Sequence, residues 1–244
     1  MLNQSVLDSL TTRYKDRPVI LEKIQAVSTC LADLKQQRLP KVALPKLLYS
    51  QKKLERDPAL LPLDEAFGDL RQSLIADFGI WFLPNEQLID DLENFIAGRP
   101  VIELMAGNAL LTAALLKRGI QASATDTLDW QGQDNERPTP WTPVKEEAAL
   151  KTVQRAIAQA KEEPNSSLPV FILAWAPNGD ESDWQILCEL RKSQRPFDLL
   201  VIGEKDGDTN SQAFWSSAKL SQPSTLNGHY QAFDAYQDAI YLAK

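Results

Sequence analysis

Glu103-Leu104-Met105-Ala106-Gly107-Asn108-Ala109, followed downstream by Ala124-Thr125-Asp126, is the stretch on which the fold turns. Val101 to Leu104 is a short apolar run that reads as a buried strand, and it ends beside an acid. A turn of small residues follows, then a helix expected from Asn108 to Arg118 and stopped by Gly119. A second strand, Gln121 to Thr125, ends at another acid, about 20 residues on from the first, the spacing found where a chain grips a nucleotide. Small residues let such a turn approach a ligand closely, and the helix start offers N–H groups that no carbonyl claims. The acid after the second strand can accept both hydroxyls of a ribose. Spacing alone leaves plainer readings open. Gly107 is also what an ordinary tight turn requires, and an Asp after a strand often caps the backbone that follows it.

Outward from this stretch the chain alternates. Asn85 is placed to cap a helix bearing Leu88, Ile89, Leu92 and Ile96, with Gly98 past its end. After a polar loop over residues 129–143, Glu146 to Glu162 reads as helix and Val170 to Ala176 as a strand. Trp184 to Lys192 reads as helix, Leu199 to Gly203 as a strand and Gln212 to Leu220 as helix. The segments Tyr230–Tyr236 and Ala239–Ala243 read as a closing hairpin. Strands alternating with helices predict an α/β, Rossmann-like, mostly parallel sheet covered on both faces, with a C-terminal antiparallel hairpin. In such sheets ligands bind beyond the carboxyl ends of the strands, where strand order reverses. The chemistry is therefore expected in the loops after Leu104, Thr125, Ala176 and Gly203.

Before residue 79 only helical periodicity is found. Val6, Leu7, Leu10 and Tyr14 suggest one helix, and Ile20, Ile24, Val27, Leu31 and Leu34 a longer one, with Pro18 between them. A further helix is expected from Asp64 to Asp77, with Phe67, Leu70 and Leu74 inward and Gly79 closing it. The division expected is a helical region over 1–78 and an α/β domain over 79–244.

Composition narrows the functions. A net charge of −7 argues against a general nucleic-acid-binding surface, which needs clustered Lys and Arg. The apolar runs are too short for a membrane span, and the opening residues show no leader pattern, so the chain reads as cytoplasmic. One His and two Cys leave too few soft ligands for a dedicated zinc site, so no metal is expected. A small-molecule substrate is favoured as partner, and no oligomeric state is indicated.

The Glu103–Ala109 segment resembles motif I of the class I SAM-dependent (S-adenosylmethionine-dependent) methyltransferases, where an acid precedes a Gly-x-Gly-x-Gly-like turn. Further positions are similar to one little-characterised, partly degenerate branch of that superfamily. Trp81-Phe-Leu-Pro84-Asn85-Glu86 is similar to its Trp-x-Ile-Pro-Asn-x-Glu stretch, and Leu173-Ala-Trp175-Ala-Pro177 to its Leu-x-Trp-Pro-Pro stretch. Ile202-Gly203-Glu204 with Gly207, Thr209 and Phe214 is similar to its Val-Gly-Glu…Gly-x-Thr…Phe stretch. The likeness spans roughly residues 80–244, as short motifs in order.

The resemblance implies S-adenosylmethionine as cofactor. Glu103 would lie near its amino group, and Met105, Ala106 and Gly107 would lie against it. Asp126 and the adjacent Thr127 would take the ribose, and Trp81 and Asn85 would cover the pocket. Trp175, Pro177 and Asn178 would stand where the acceptor enters, and Glu204 or Asp180 would take a proton. Three departures stand out. Met105 and Ala109 occupy the outer glycine positions, Asn178 replaces an aromatic residue, and Gln237 replaces a His before the Asp of the last strand. A methyltransferase is therefore weighed against a catalytically inactive relative serving as a binding module. A nicotinamide-dependent oxidoreductase is disfavoured, because the Gly-x-Gly-x-x-Gly fingerprint is missing.

Overall fold

The computed structural model describes residues 1–132, 135–162 and 167–244. Residues 133–134 of the expected 129–143 loop lie outside the described residues. Five helices come first: α1 (Gln4–Arg13), α2 (Pro18–Lys35), α3 (Gln51–Arg56), α4 (Leu61–Gly68) and α5 (Leu70–Phe78), with a 3-10 turn at Pro58–Leu60. Then follow α6 (Glu86–Ile96), β1 (Val101–Leu104), α7 (Leu110–Lys117), β2 (Ala122–Asp126), β3 (Val144–Glu146) and α8 (Ala149–Glu162). The chain closes with β4 (Val170–Ala174), α9 (Ser182–Lys192), β5 (Asp198–Glu204), α10 (Gln212–Ser217), β6 (Leu220–Ser221), α11 (Ser224–Asn227) and β7 (Asp238–Ala243).

The strands form one sheet in the order β3-β2-β1-β4-β5-β7-β6. β1, β2, β3, β4 and β5 run parallel to one another, and β7 runs antiparallel to both β5 and β6. This is the Rossmann-like α/β architecture expected from the sequence. The central strands β1, β4 and β5 are apolar because both faces are covered. On one face Leu104, Phe171, Leu173, Leu199 and Val201 meet residues of α8, α9 and α10. On the other, Val101, Val170, Ile172, Leu200 and Ile202 share a single core with α6, α7 and the N-terminal helices. Leu47, Leu63, Phe67 and Leu70 are fully buried in that core, so residues 1–78 pack on the same hydrophobic mass as the sheet.

Several local expectations hold. Asn85 Oδ1 accepts from the Leu88 N–H at 3.1 Å and caps α6, a contact of about 1 kcal/mol for such caps. Gly79 closes α5 in the left-handed conformation, φ 61°. Others are corrected. The helix expected over Asp64 to Asp77 is two helices that break at Asp69, directly after Gly68, a poor helix former. Glu146 belongs to the edge strand β3 rather than to α8. The closing hairpin pairs β7 with Leu220–Ser221, not with Tyr230–Tyr236. Tyr230 and Phe233 are buried and stand three residues apart, a spacing that a two-residue strand repeat cannot put on one face. The Phe233 carbonyl instead accepts from the Leu47 N–H, and the Leu44 carbonyl from the Gln231 side chain.

Candidate functional site

Strand order reverses between β1 and β4, since β2 and β3 lie to one side of β1 and β5 lies beyond β4. A cavity of about 1010 Å³ opens at the carboxyl ends of these strands, at the upper end of ligand-pocket sizes. It holds Glu103, Met105, Ala106 and Gly107 from the β1 turn and Asp126 and Thr127 from the end of β2. Trp81, Trp175, Pro177 and Asn178 complete the sequence-derived set that the cavity brings together, and Asp180 also lines it.

The turn after β1 keeps an unusual backbone. Met105, Gly107 and Ala109 all have φ of 52°. These are the three positions at which a Gly-x-Gly-x-Gly turn would have glycine. A left-handed conformation costs a side chain roughly 1–2 kcal/mol, so Met105 and Ala109 hold the glycine-rich shape under strain. Leu128 after β2 (φ 56°) and Trp175 after β4 (φ 58°) add two further strained residues around the same opening. Ala109 offers α7 no side-chain cap, and the cap comes instead from Glu103, which takes the Thr112 N–H in the first turn.

Two acids frame the turn. Glu103 is buried, and its Oε2 accepts from the Thr112 N–H (2.8 Å) and the Thr112 hydroxyl (2.5 Å). Its Oε1 accepts no hydrogen bond from a described residue. Burial pushes the Glu103 carboxyl up to about 7; the two bonds from Thr112 oppose the rise, and Asp126 adds to it. Asp126 Oδ2 accepts from the Gly107 N–H at 2.8 Å, and Oδ1 from the Leu128 N–H at 2.8 Å. Trp130 Nε1 donates to the same Oδ1 at 3.4 Å. Asp126 thus performs the backbone capping that the plainer reading foresaw. A carboxylate offers about four acceptor positions, so capacity for hydroxyl donors remains.

Aromatic residues wall the cleft on two sides. Trp81 and Trp130 meet edge to face at 6.0 Å beside Gly107. Trp175 and Tyr236 meet in the same way at 5.1 Å by the end of β4. Trp130, one of two tryptophans in the polar loop, which the sequence left open between lining a substrate site and packing the loop, is buried and lines the cavity.

Two of the expected residues stand elsewhere. Asn85 is outside the cavity lining: its Oδ1 caps α6 and its Nδ2 donates to the His229 carbonyl at 2.8 Å, so its amide is spent on structure. Glu204 is also outside it. Its Oε1 accepts from the Gln237 N–H at 2.8 Å, which ties β5 to the segment before β7.

Sequence reasoning missed Arg71. This α5 residue is buried and lines the cavity. Its guanidinium binds both oxygens of Asp234, at 2.5 and 3.0 Å, and donates to the Trp81 carbonyl. It also stacks on Trp175 at 4.2 Å. One side chain therefore touches both aromatic walls. The available signal was its place in the helical repeat of Phe67, Leu70, Leu74 and Ile75, a charge on an apolar face.

No protein-family profile matches the chain, and no curated protein matches it. Among solved structures it is similar to a SAM-dependent methyltransferase from Agrobacterium tumefaciens, at 13% identity and a TM-score of 0.35, over 66% of this chain and 62% of that one. It is similar to an rRNA methylase from Streptococcus thermophilus at 13% identity and a TM-score of 0.32, over 64% of this chain and 94% of that one. An O-methyltransferase family protein from Burkholderia thailandensis shows 11% identity and a TM-score of 0.34, over 92% of this chain and 70% of that one. The chain thus spans less than two thirds of the length of the Agrobacterium enzyme. Likenesses at these scores carry no functional weight, and the fold assignment stands on strand order and register.

Proposed function

We propose that the chain is a SAM-dependent methyltransferase acting on a small molecule. The observation that carries the reading is the turn after β1. It keeps the left-handed backbone at three alternate residues although two of them are not glycine, and it does so between Glu103 and Asp126 at the switch point of the sheet. Strain of this kind persists only where surrounding structure maintains it, and it concentrates at ligand sites.

The residues present fit the cofactor. Asp126 retains acceptor capacity for ribose hydroxyls. Glu103 has an oxygen that accepts from no described residue, suited to an ammonium group, and the cavity has room for a nucleoside and an acceptor together. When bound, the cofactor supplies a methyl group already activated on a sulfonium. The protein's share is then to align and to exclude water, and alignment of bound reactants is worth up to about 7–11 kcal/mol. Trp81 and Trp130 shield the nucleotide side. Trp175, Pro177 and Asn178 shape the acceptor side. Asp180 and Asp208 stand at that side as proton acceptors, whereas Glu204 lies outside the cavity lining and accepts from the Gln237 and Asp208 N–H groups.

Calorimetric titration with S-adenosylmethionine and its demethylated product, with NAD as control, tests this. The expected result is micromolar binding of the sulfur ligands, weakened about a hundredfold or more in Asp126→Ala, since hydrogen bonds to a charged group contribute about 1.5–3 kcal/mol each. Absence of heat and of thermal stabilisation with either sulfur ligand at millimolar concentration sinks the proposal and leaves a fold used to bind something else.

A further inference from the structure

One residue of the strained turn after β1 has no part in the proposed chemistry. Asn108 stands between Gly107 and Ala109 and is 2% exposed. Its side-chain amide is engaged at both ends. Oδ1 accepts from the Thr139 N–H at 2.8 Å, and Nδ2 donates to the Phe78 carbonyl at 2.6 Å and to the Thr139 hydroxyl at 3.4 Å. Both N–H bonds of the amide are thereby spent, and no side-chain donor is left for a ligand. The approach to the end of α5 leaves no room for a side chain at Gly79, where a Cβ would stand 2.4 Å from Asn108 Nδ2.

The same residue fixes the backbone that follows it. The Asn108 carbonyl accepts from the Trp141 N–H at 2.8 Å, and the Ala109 N–H donates to the Ala106 carbonyl at 2.7 Å. These two bonds pin the peptide group between 108 and 109 from opposite sides. The Ala109 carbonyl is pinned in turn by the Ala113 N–H at 2.9 Å, as α7 begins. The backbone torsions of Ala109 lie between these two fixed peptide groups, and φ is held at 52°. An alanine released from such constraints leaves the left-handed region, where its Cβ crowds the following carbonyl oxygen. Thr139, bound to the Asn108 amide, stands two residues before Trp141, so the amide holds the segment whose N–H holds the turn.

Resting on the methyltransferase reading, we infer that Asn108 is a positioning residue of the nucleoside site: its amide, clamped between the end of α5 and residues 139–141, keeps a turn that lacks glycine at positions 105 and 109 in the glycine-rich shape. The Gly107 N–H of this turn donates to Asp126 Oδ2 at 2.8 Å, so the shape of the turn also sets the carboxylate proposed to take the ribose. The N-terminal helices reach the site through the Phe78 carbonyl.

Calorimetry of the full chain with S-adenosylhomocysteine, run as a double-mutant cycle, tests this. Asn108→Ala is expected to weaken binding about five- to thirtyfold, the factor that matches the strain of a side chain in the left-handed region. In the Ala109→Gly background the same substitution is expected to cost less than about twofold, because glycine keeps a positive φ without a clamp. Thermal unfolding supplies the contrast. Glycine restores no bond to Phe78 or Thr139, so Asn108→Ala should lower the melting temperature at least as much with glycine at 109 as with alanine. A role in stability alone makes the loss of affinity follow the loss of stability instead. Thr139→Pro deletes, from an exposed position, the N–H that Asn108 Oδ1 accepts. It is expected to weaken binding in the same way, again only when residue 109 is alanine, and it decides the matter if Asn108→Ala fails to fold. Unchanged binding in these variants, or equal losses in the two backgrounds, overturns this inference alone. No binding by the wild-type chain at millimolar ligand removes the methyltransferase reading and this inference with it.

Discussion

Glu103 carries its carboxyl inside the protein, against the Thr112 N–H and hydroxyl, and burial raises it to about 7 from an ordinary 4.5. The folded protein therefore holds a proton there that the unfolded chain releases at lower pH. Stability is expected to fall as pH rises from about 4.5 to about 7 and to level off above, a span of roughly 3 kcal/mol from this group. Glu103→Gln keeps an oxygen for Thr112 and removes the titration, so its urea midpoint should lose that slope and exceed wild type at pH 8 or so. A steeper decline in the variant contradicts the assignment. The same proton bears on the proposed ligand. An ammonium beside Glu103 prefers the charged carboxylate, so cofactor affinity is expected to rise with pH up to about 7. Glu103 and Asp126 were legible in the sequence because each ends a strand at a fixed distance from the turn. Arg71 and Asp234 were not, because the pair is separated by 163 positions and only the folded chain joins them.

At the scale of elements, the wall of the cleft depends on how closely the segment after β5 returns to its own strand. A Cβ on Gly203 would stand 2.3 Å from Thr209 Oγ1 and 3.1 Å from Asn210 Oδ1. That hydroxyl accepts from the Glu204 N–H at 2.8 Å, and Thr209 bridges to Pro177 at the mouth of the site. Gly203→Ala is thus expected to cost about 1–3 kcal/mol, the range for overpacking, and to displace the Pro177–Asn178 loop. Thermal unfolding measures the first effect and tryptophan fluorescence of the cleft the second; unchanged values in both contradict the packing argument. The central strands were readable for the reason they are stable, burial on both faces. β3 and β6 were not, since three- and two-residue strands at the sheet edges carry no hydrophobic repeat. The Tyr230–Tyr236 segment misled because its aromatic content suits a strand, while its spacing serves the contact with residues 44–47.

Across the whole molecule, residues 1–78 and the sheet share one hydrophobic core, and Arg71 fastens them where function is proposed. It joins α5 to Trp81, Trp175 and the Asp234 segment. Arg71→Met keeps much of the packing but leaves two buried carboxylates without their cation, an expected loss of about 3–5 kcal/mol. Arg38→Met, which breaks an exposed pair with Asp33, is expected to stay within about 1 kcal/mol. Equal stability of the two variants in urea denaturation contradicts this ranking. The central claim is that the switch-point turn is a nucleoside site, and amide hydrogen exchange with saturating S-adenosylhomocysteine tests it most directly. Slowed exchange over residues 104–112 and 126–130, with little change on α1 to α3, is the result expected. Protection elsewhere, or no protection at saturation, contradicts it.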